Sequence, residues 1–382
     1  MTITVLAAYA PGPGHYNTLR PLVEDLAAQP NCRVYWCGSQ AVANFVDTAP
    51  VAVPHRPAGF ETFLPSSAGV SGDDIIRRMG QRSRDDIGRL MEELHPDLVI
   101  CDTSERGAVL AARDRDVPFL RVVSCADAAT ARSSTLEARR RTLIRGQDGD
   151  DLRSPWNLGT VGFGPRWFFT DDHEPGERLR CYRYRPSGST PVHPPSRPAR
   201  PRALISFGTF ITEPSAEMLE QAMLGLVDAG IKSITIKIRL PTSRARLQEW
   251  TELNSARTDS VIEVCSELDL AHHLTEADIL LCHGSATSTL EALYRQVTPV
   301  IAPSHNDAYF VARRCADSNT AITIDWATGF TRQNIRTAAT TALHSLRIAD
   351  GIERFTLDNN ELQPINSLAE HLTRTVGKNA TR

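Results

Sequence analysis

The sequence predicts an α/β protein built from two doubly wound, Rossmann-like domains facing each other across a cleft. Three observations carry that prediction. Short apolar, β-branched runs alternate with amphipathic helical segments in both halves, the pattern of parallel sheets wrapped by helices. A stretch rich in Pro, Ser and Arg, from Pro186 to Pro201, breaks all periodicity near the middle of the chain, as a semi-rigid linker does. The 382 residues are also enough for two cores of ordinary size. The expected divisions are an N-terminal domain over 1–185, the linker over 186–201 and a second domain over 202–360. Residues 361–382 are expected to form a C-terminal helix that packs back on the first domain.

The elements follow in order. Ile3 to Tyr9 is apolar and β-branched, suited to a strand covered on both faces. Pro11-Gly12-Pro13-Gly14 should end it, and Leu19, Leu22, Val23 and Leu26 predict a helix from Thr18 to Ala28. Val34–Cys37 is a second strand and Ala41–Val46 a short helix. From Pro57 to Gly80 the pattern loosens, and irregular insertions on such scaffolds tend to line sites. Phe60 and Phe63 fall there, either as walls of an acceptor pocket or as the loop's own small core. Asp85–Leu94 is helical, Pro96–Asp102 a strand ending on a carboxylate, Gly107–Arg113 a helix and Val117–Val123 a strand. A long helix is expected from Ala126 to Arg145, with Arg139-Arg140-Arg141 on a solvated face. Trp156–Phe169 has no clear period, and Tyr182–Arg185 suits an edge strand.

The second half restarts with a strand from Ala203 to Thr209 and a helix from Ser215 to Ala229. Strands are expected at Ser233–Ile238 and Val261–Val264, with a short helix at Leu268–Leu274. Ile279–Cys282 is the next strand. It meets a turn of small residues and then a helix with Leu290, Leu293 and Tyr294 at helical spacing. Strands at Pro299–Ala302 and Ala321–Ile324 and helices at Ala308–Ser318, Thr331–Leu346 and Glu361–Val376 complete the pattern.

Composition excludes several functions. A formal net charge of −3 argues against a nucleic-acid or anionic-membrane field. The eight cysteines show no C-x-x-C pair and no zinc spacing, so no metal site is expected and a reducing, cytoplasmic setting fits. Met1–Ala10 reads as a first strand rather than a signal peptide, and no run approaches a membrane span. The oligomeric state is left between monomer and homodimer.

The most informative stretch is Cys282-His283-Gly284-Ser285-Ala286-Thr287-Ser288-Thr289-Leu290-Glu291-Ala292. A short-side-chain turn at a helix N-terminus exposes unpaired N–H groups at the positive end of the dipole, a ready anion site. His283, Ser285, Thr287 and Ser288 add polar donors, so a phosphate or diphosphate fits. The same Ser and Thr residues also serve as ordinary helix caps. At the first strand's end, Gly12 and Gly14 lack the third Gly of a dinucleotide fingerprint, so a nicotinamide or flavin cofactor is not expected.

The segment from Cys265 to Asp307 resembles the donor-binding signature of the family 1 nucleotide-sugar glycosyltransferases. The resemblance rests on His283, Gly284, Ser288, Glu291, Ala292, Pro303 and Asp307, and is supported by Gly14-His15 with Pro21-Leu22 and by Ser206-Phe207-Gly208-Thr209. It implies a GT-B fold, with an acceptor-binding N-terminal domain and a donor-binding C-terminal one. It implies an inverting transfer of a sugar from a dTDP- or UDP-sugar co-substrate to a small, largely apolar natural-product aglycone, as in antibiotic-tailoring members, without a metal. By the same match His15 is the catalytic base and Asp102 its carboxylate partner. Ser206, Gly208 and Thr209, with His283, Gly284, Ser285, Thr287 and Ser288, clamp the diphosphate. Glu291 accepts ribose hydroxyls, Asp307 reads the sugar, and Val264 and Cys265 adjoin the base.

The chain departs from the family pattern at Ser285 and Thr287 (usually Gly), Gln296 (usually Gly), Ala308 (usually Gln) and Cys265 (Trp in plant members). Loss of the Gln amide suggests a deoxy- or aminosugar. Two other functions stand beside the transferase: a nucleotide-sugar epimerase of the same fold, and a non-catalytic nucleotide-sugar-binding helper protein.

Overall fold

A computed structural model describes residues 2–40, 52–59, 72–124, 154–169, 179–186, 200–208, 214–254, 258–304 and 308–379. The chain forms two compact units, Met1–Ser187 with Glu361–Arg382, and Gly188–Asn360. Phe60, Phe63, Thr209, Asp307, the helices expected at 41–46 and 126–145, Arg139–Arg141 and most of the Pro-rich stretch lie outside the described residues.

In the first unit the described strands are β1 (Ile3–Ala8), β2 (Cys32–Gly38), β3 (His55–Pro57), β4 (Leu98–Asp102), β5 (Phe119–Val122), β6 (Asn157–Phe163) and β7 (Leu179–Tyr182). They form one parallel sheet in the order β3-β2-β1-β4-β5-β6-β7. The order reverses between β1 and β4, which opens a crevice at the carboxyl ends of those two strands. β1 and β4 are buried nearly throughout, which explains their unbroken apolar runs.

Its described helices are α1 (Pro13–Ala27), α2 (Gly72–Leu94), α3 (Arg106–Arg113) and α4 (Arg166–Phe169). The first begins five residues before the predicted Thr18. Pro13 occupies the first turn, where a missing N–H costs nothing and φ is already helical. His15 is thereby a helical residue and not a loop residue. The irregular stretch predicted from Pro57 to Gly80 also needs correction, since α2 begins at Gly72 and β3 occupies His55–Pro57. Glycines obscured that helix. At the α2–α3 crossing the backbones nearly touch: a Cβ added at Gly107 would lie 2.6 Å from the Arg84 amide nitrogen. Trp156–Phe169, which had no clear period, contains β6 and α4, and the edge strand ends at Tyr182 instead of starting there.

In the second unit β8 (Arg202–Ser206), β9 (Ser233–Lys237), β10 (Val261–Cys265), β11 (Ile279–Cys282), β12 (Thr298–Ile301) and β13 (Ile322–Thr323) form a second parallel sheet, in the order β10-β9-β8-β11-β12-β13. Here the order reverses between β8 and β11. Seven described helices accompany it: α5 (Ala216–Asp228), α6 (Pro241–Asn254), α7 (Leu270–Leu274), α8 (Ala286–Tyr294), α9 (Ala308–Asp317), α10 (Arg332–His344) and α11 (Leu346–Glu361). The sequence pattern missed α6 because Leu247 is its one buried residue, so it carries almost no apolar period. It missed α11 because Gly351 interrupts the helix interior, where an added Cβ would collide with the Asn319 carbonyl. One face of the sheet packs Ile205, Ile236, Leu281 and Val300 against Leu219, Met223, Leu226 and Ile335 of α5 and α10.

The last helix, α12 (Ile365–Asn379), belongs to the first unit. Ile365, Leu368, Ala369, Leu372 and Val376 are buried at helical spacing. Near its end, a Cβ added at Gly377 would meet the Ile3 side chain of β1 at 3.7 Å.

Candidate active site

In the first unit the site forms at the strand-order reversal. Asp102, the last residue of β4, is fully buried. Its Oδ1 meets His15 Nδ1 at 3.1 Å and accepts the Ser104 N–H at 2.8 Å and the Ser124 hydroxyl at 3.1 Å. Its Oδ2 accepts the Ala10 N–H at 2.6 Å, just beyond β1. One carboxylate therefore ties together the exits of β1, β4 and β5. Burial alone would raise the Asp102 carboxyl. The His15 charge and hydrogen bond, with the Ala10 and Ser104 amides, outweigh burial and hold the group below the ordinary aspartate range.

His15 occupies the first turn of α1, whose N-cap Gly12 supplies no side-chain cap. The imidazole is 19 % exposed, enough to meet a solute. Beside it in sequence, Tyr16 packs with Tyr9 and Trp36 in a buried aromatic cluster, Tyr9 edge-on to both and Tyr16 tilted against Trp36, with the Tyr9 hydroxyl 2.8 Å from His55 Nε2. This aromatic cluster fixes the first turn of α1 against β1 and β2. Ser124 was not among the residues singled out from the sequence. It lies two residues beyond β5, so its place past a strand's carboxyl end was the available signal.

Three residues past Asp102, Glu105 caps α3 by accepting the Gly107 N–H at 3.1 Å, and it accepts the Ser83 hydroxyl of α2 at 2.6 Å. Burial raises its carboxyl to about 7, the nearby Asp102 charge adding to the effect and the Ser83 and backbone hydrogen bonds opposing it.

In the second unit the turns after β8 and β11 come together at the other reversal. Ser206 ends β8, and Phe207 anchors the turn with its ring 5.7 Å from that of Trp326 and 5.8 Å from that of Phe330. Gly208 has φ +79°, and a Cβ there would stand 2.9 Å from His283 Cε1. His283 is buried. Gly284 has φ +87°, with Ile301 Cγ2 2.6 Å from where a Cβ would lie. Ser285 caps α8, accepting the Ser288 N–H at 3.3 Å and donating to the Ser288 hydroxyl at 2.9 Å. The small residues of this stretch thus form a capped helix N-terminus with the Gly208 turn beside it. Thr287 lies in the helix's first turn.

The remaining predicted residues are more dispersed. Glu291 is buried, and its Oε1 takes the Arg295 Nε at 2.9 Å, a partner the sequence reading did not include. Val264 packs on the core, and Cys265 ends β10 with its thiol donating to the Ile236 carbonyl at 3.5 Å. Both are two strands away from Ser206, with β9 between. Ala308 is fully buried, its backbone against the Gly284 turn. Among the described residues no cluster of His, Cys, Asp and Glu is arranged to hold a metal, and no helix is long and apolar enough to cross a membrane.

No protein-family profile matches the chain, and no curated protein matches it. Solved structures do. A glycosyltransferase of Streptomyces sp. SF2575 complexed with thymidine diphosphate is 16 % identical with a TM-score of 0.70, over 97 % of this chain and 99 % of that one. SnogD from Streptomyces nogalater is 16 % identical with a TM-score of 0.73, over 98 % and 100 %. The spinosyn forosaminyltransferase SpnP is 20 % identical with a TM-score of 0.70, over 99 % and 100 %. Full coverage at such identities speaks for architecture. The chain has the fold of these natural-product glycosyltransferases, two Rossmann-like α/β units of the GT-B type.

Proposed function

We propose that this chain is an inverting glycosyltransferase that moves a sugar from a dTDP- or UDP-sugar to a hydroxyl of a small, largely apolar aglycone. The observation that carries this reading is the buried Asp102 carboxylate on His15 Nδ1 at the reversal of the first sheet. An acceptor hydroxyl is a poor nucleophile near neutral pH, and an imidazole is suited to take its proton as the new C–O bond forms. Asp102 holds the tautomer with hydrogen on Nδ1, which makes Nε2 the basic nitrogen, and it stabilises the imidazolium that results. Single displacement at the anomeric carbon inverts its configuration.

The second unit takes the donor. Its Gly208 and Gly284 turns and the capped N-terminus of α8 present N–H groups and hydroxyls to the diphosphate, stabilising the departing charge. Glu291 and the end of β10 complete donor recognition; the donor roles that the family resemblance gives Thr209 and Asp307, and an acceptor role for Phe60 and Phe63, concern residues outside those described. A deoxy- or aminosugar on dTDP is the favoured donor, supported by the thymidine diphosphate of one structural neighbour and the forosaminyl transfer named for another.

The test is turnover of a panel of dTDP- and UDP-sugars with varied aglycones, with NMR of the product's anomeric configuration. His15→Ala should lower turnover about a hundredfold or more, with Asp102→Asn also strongly impaired. Turnover within a few-fold of wild type in His15→Ala would refute the base. Retention of configuration would refute single displacement.

A further inference from the structure

The two donor turns described above carry no lysine or arginine. Ser206, Gly208, Gly284, Ser285 and Ser288 are neutral, and a diphosphate brings at least two negative charges. One cation lies in the same row. Lys237, the last residue of β9, is in register with Ser206 on one side and Cys265 on the other, and Ser206 is in turn in register with Cys282. In-register residues of a parallel sheet point to the same face, with neighbouring strands about 4.8 Å apart. Ile236 and Ile238, flanking Lys237 in sequence, are in the core on the opposite face.

The side chain of Lys237 is 13 % exposed, unusual burial for a lysine. Among the described residues, its recorded ionic contact is Glu267 Oε2 at 4.0 Å, on a side chain that is 89 % exposed. Such a pair contributes little. A strongly hydrated cation is thus held at the carboxyl edge with a loose, solvent-facing counterion that a better anion can replace.

We propose that Lys237 is the fixed cation of the donor site, its ammonium binding the diphosphate of the nucleotide sugar and exchanging Glu267 for phosphate oxygens. This rests on the reading of the second unit as the donor domain. It adds a residue between the phosphate turn of β8 and the base-proximal end of β10, and it gives Glu267 the role of a competing anion. The geometry explains why the row Cys265–Lys237–Ser206–Cys282 places its one charge between the two donor subsites.

The experiment is calorimetric titration of the full chain with dTDP and UDP, and NMR titration with thymidine. Lys237→Met should weaken both diphosphates about tenfold to a hundredfold, the loss of one charge-assisted contact, and leave thymidine unchanged; Lys237→Arg should recover much of the loss. Glu267→Gln should tighten dTDP about two- to threefold, and have no effect in the Lys237→Met background. Unchanged diphosphate binding in Lys237→Met, equal losses for thymidine and dTDP, or weaker binding in Glu267→Gln would each overturn the assignment. A wild-type chain that binds neither diphosphate would refute the donor-domain reading itself, a distinct outcome.

Discussion

Replacing Glu105 by Gln should make the protein more stable at alkaline pH and change little in acid. Glu105 is buried between α2 and α3, and both its cap to Gly107 and its contact with Ser83 use the side chain as an acceptor, a role a Gln oxygen can keep. Burial lifts its carboxyl from the ordinary 4.5 to about 7. A raised pKa means that the folded state holds the proton more tightly than the unfolded chain. The resulting stability is fully present below pH 4.5 and is lost as pH rises through 7. At about 1.4 kcal/mol per unit, the wild type forfeits about 3 kcal/mol between pH 4 and pH 8 that the Gln variant keeps. Urea denaturation followed by tryptophan fluorescence and circular dichroism at both pH values measures this. The stability gap should widen by about 2–3 kcal/mol toward pH 8 in favour of Glu105→Gln. A gap independent of pH would show that folding leaves the Glu105 carboxyl at its ordinary value, and the reasoning would fail.

Two further substitutions probe the backbone of the second unit. Gln296 follows α8 with φ +60°, a left-handed conformation that costs a side-chain-bearing residue about 1–2 kcal/mol; Gln296→Gly should therefore stabilise by about 0.5–1 kcal/mol after the entropy cost of glycine, read as a higher denaturation midpoint, and a lower midpoint would refute it. Gly284→Ala adds a Cβ against Ile301 at φ +87° and should destabilise by about 2–4 kcal/mol, with dTDP affinity falling in step; unchanged binding and stability would show that the turn adapts.

The parts of the fold legible in the sequence were those with strong periodicity. The apolar runs at Ile3, Leu98, Ile205 and Ile279 became the four strands at the two reversals, because a strand covered on both faces has no alternative but to be apolar throughout. Elements whose packing depends on absent side chains were not legible. α2 crosses α3 through Gly107, α11 turns around Gly351, and α6 buries little besides Leu247. At the site, His15 and Asp102 were paired through the family pattern and lie 3.1 Å apart. Ser124 and Lys237 were missed, because their neighbours come from strand register, which no local motif records; Arg295 was missed although its i,i+4 spacing from Glu291 was readable. Gln296 is instructive in the opposite sense. The family's Gly at that position corresponds to a positive φ that this chain retains without the glycine.

The placement of α12 has a consequence for assembly. The Ile3 strand end is finished by a helix some 360 residues downstream, with the whole second unit encoded between them, so β1 and α1 are covered only through a very long loop. Such a closure costs only slightly more than a shorter one at equilibrium, but it is slow to find. During synthesis the second unit, continuous in sequence, is able to condense first, while β1 and α1 wait with an uncovered apolar face. Nascent chains should accordingly be most vulnerable to chaperone capture and proteolysis in the half that is made first.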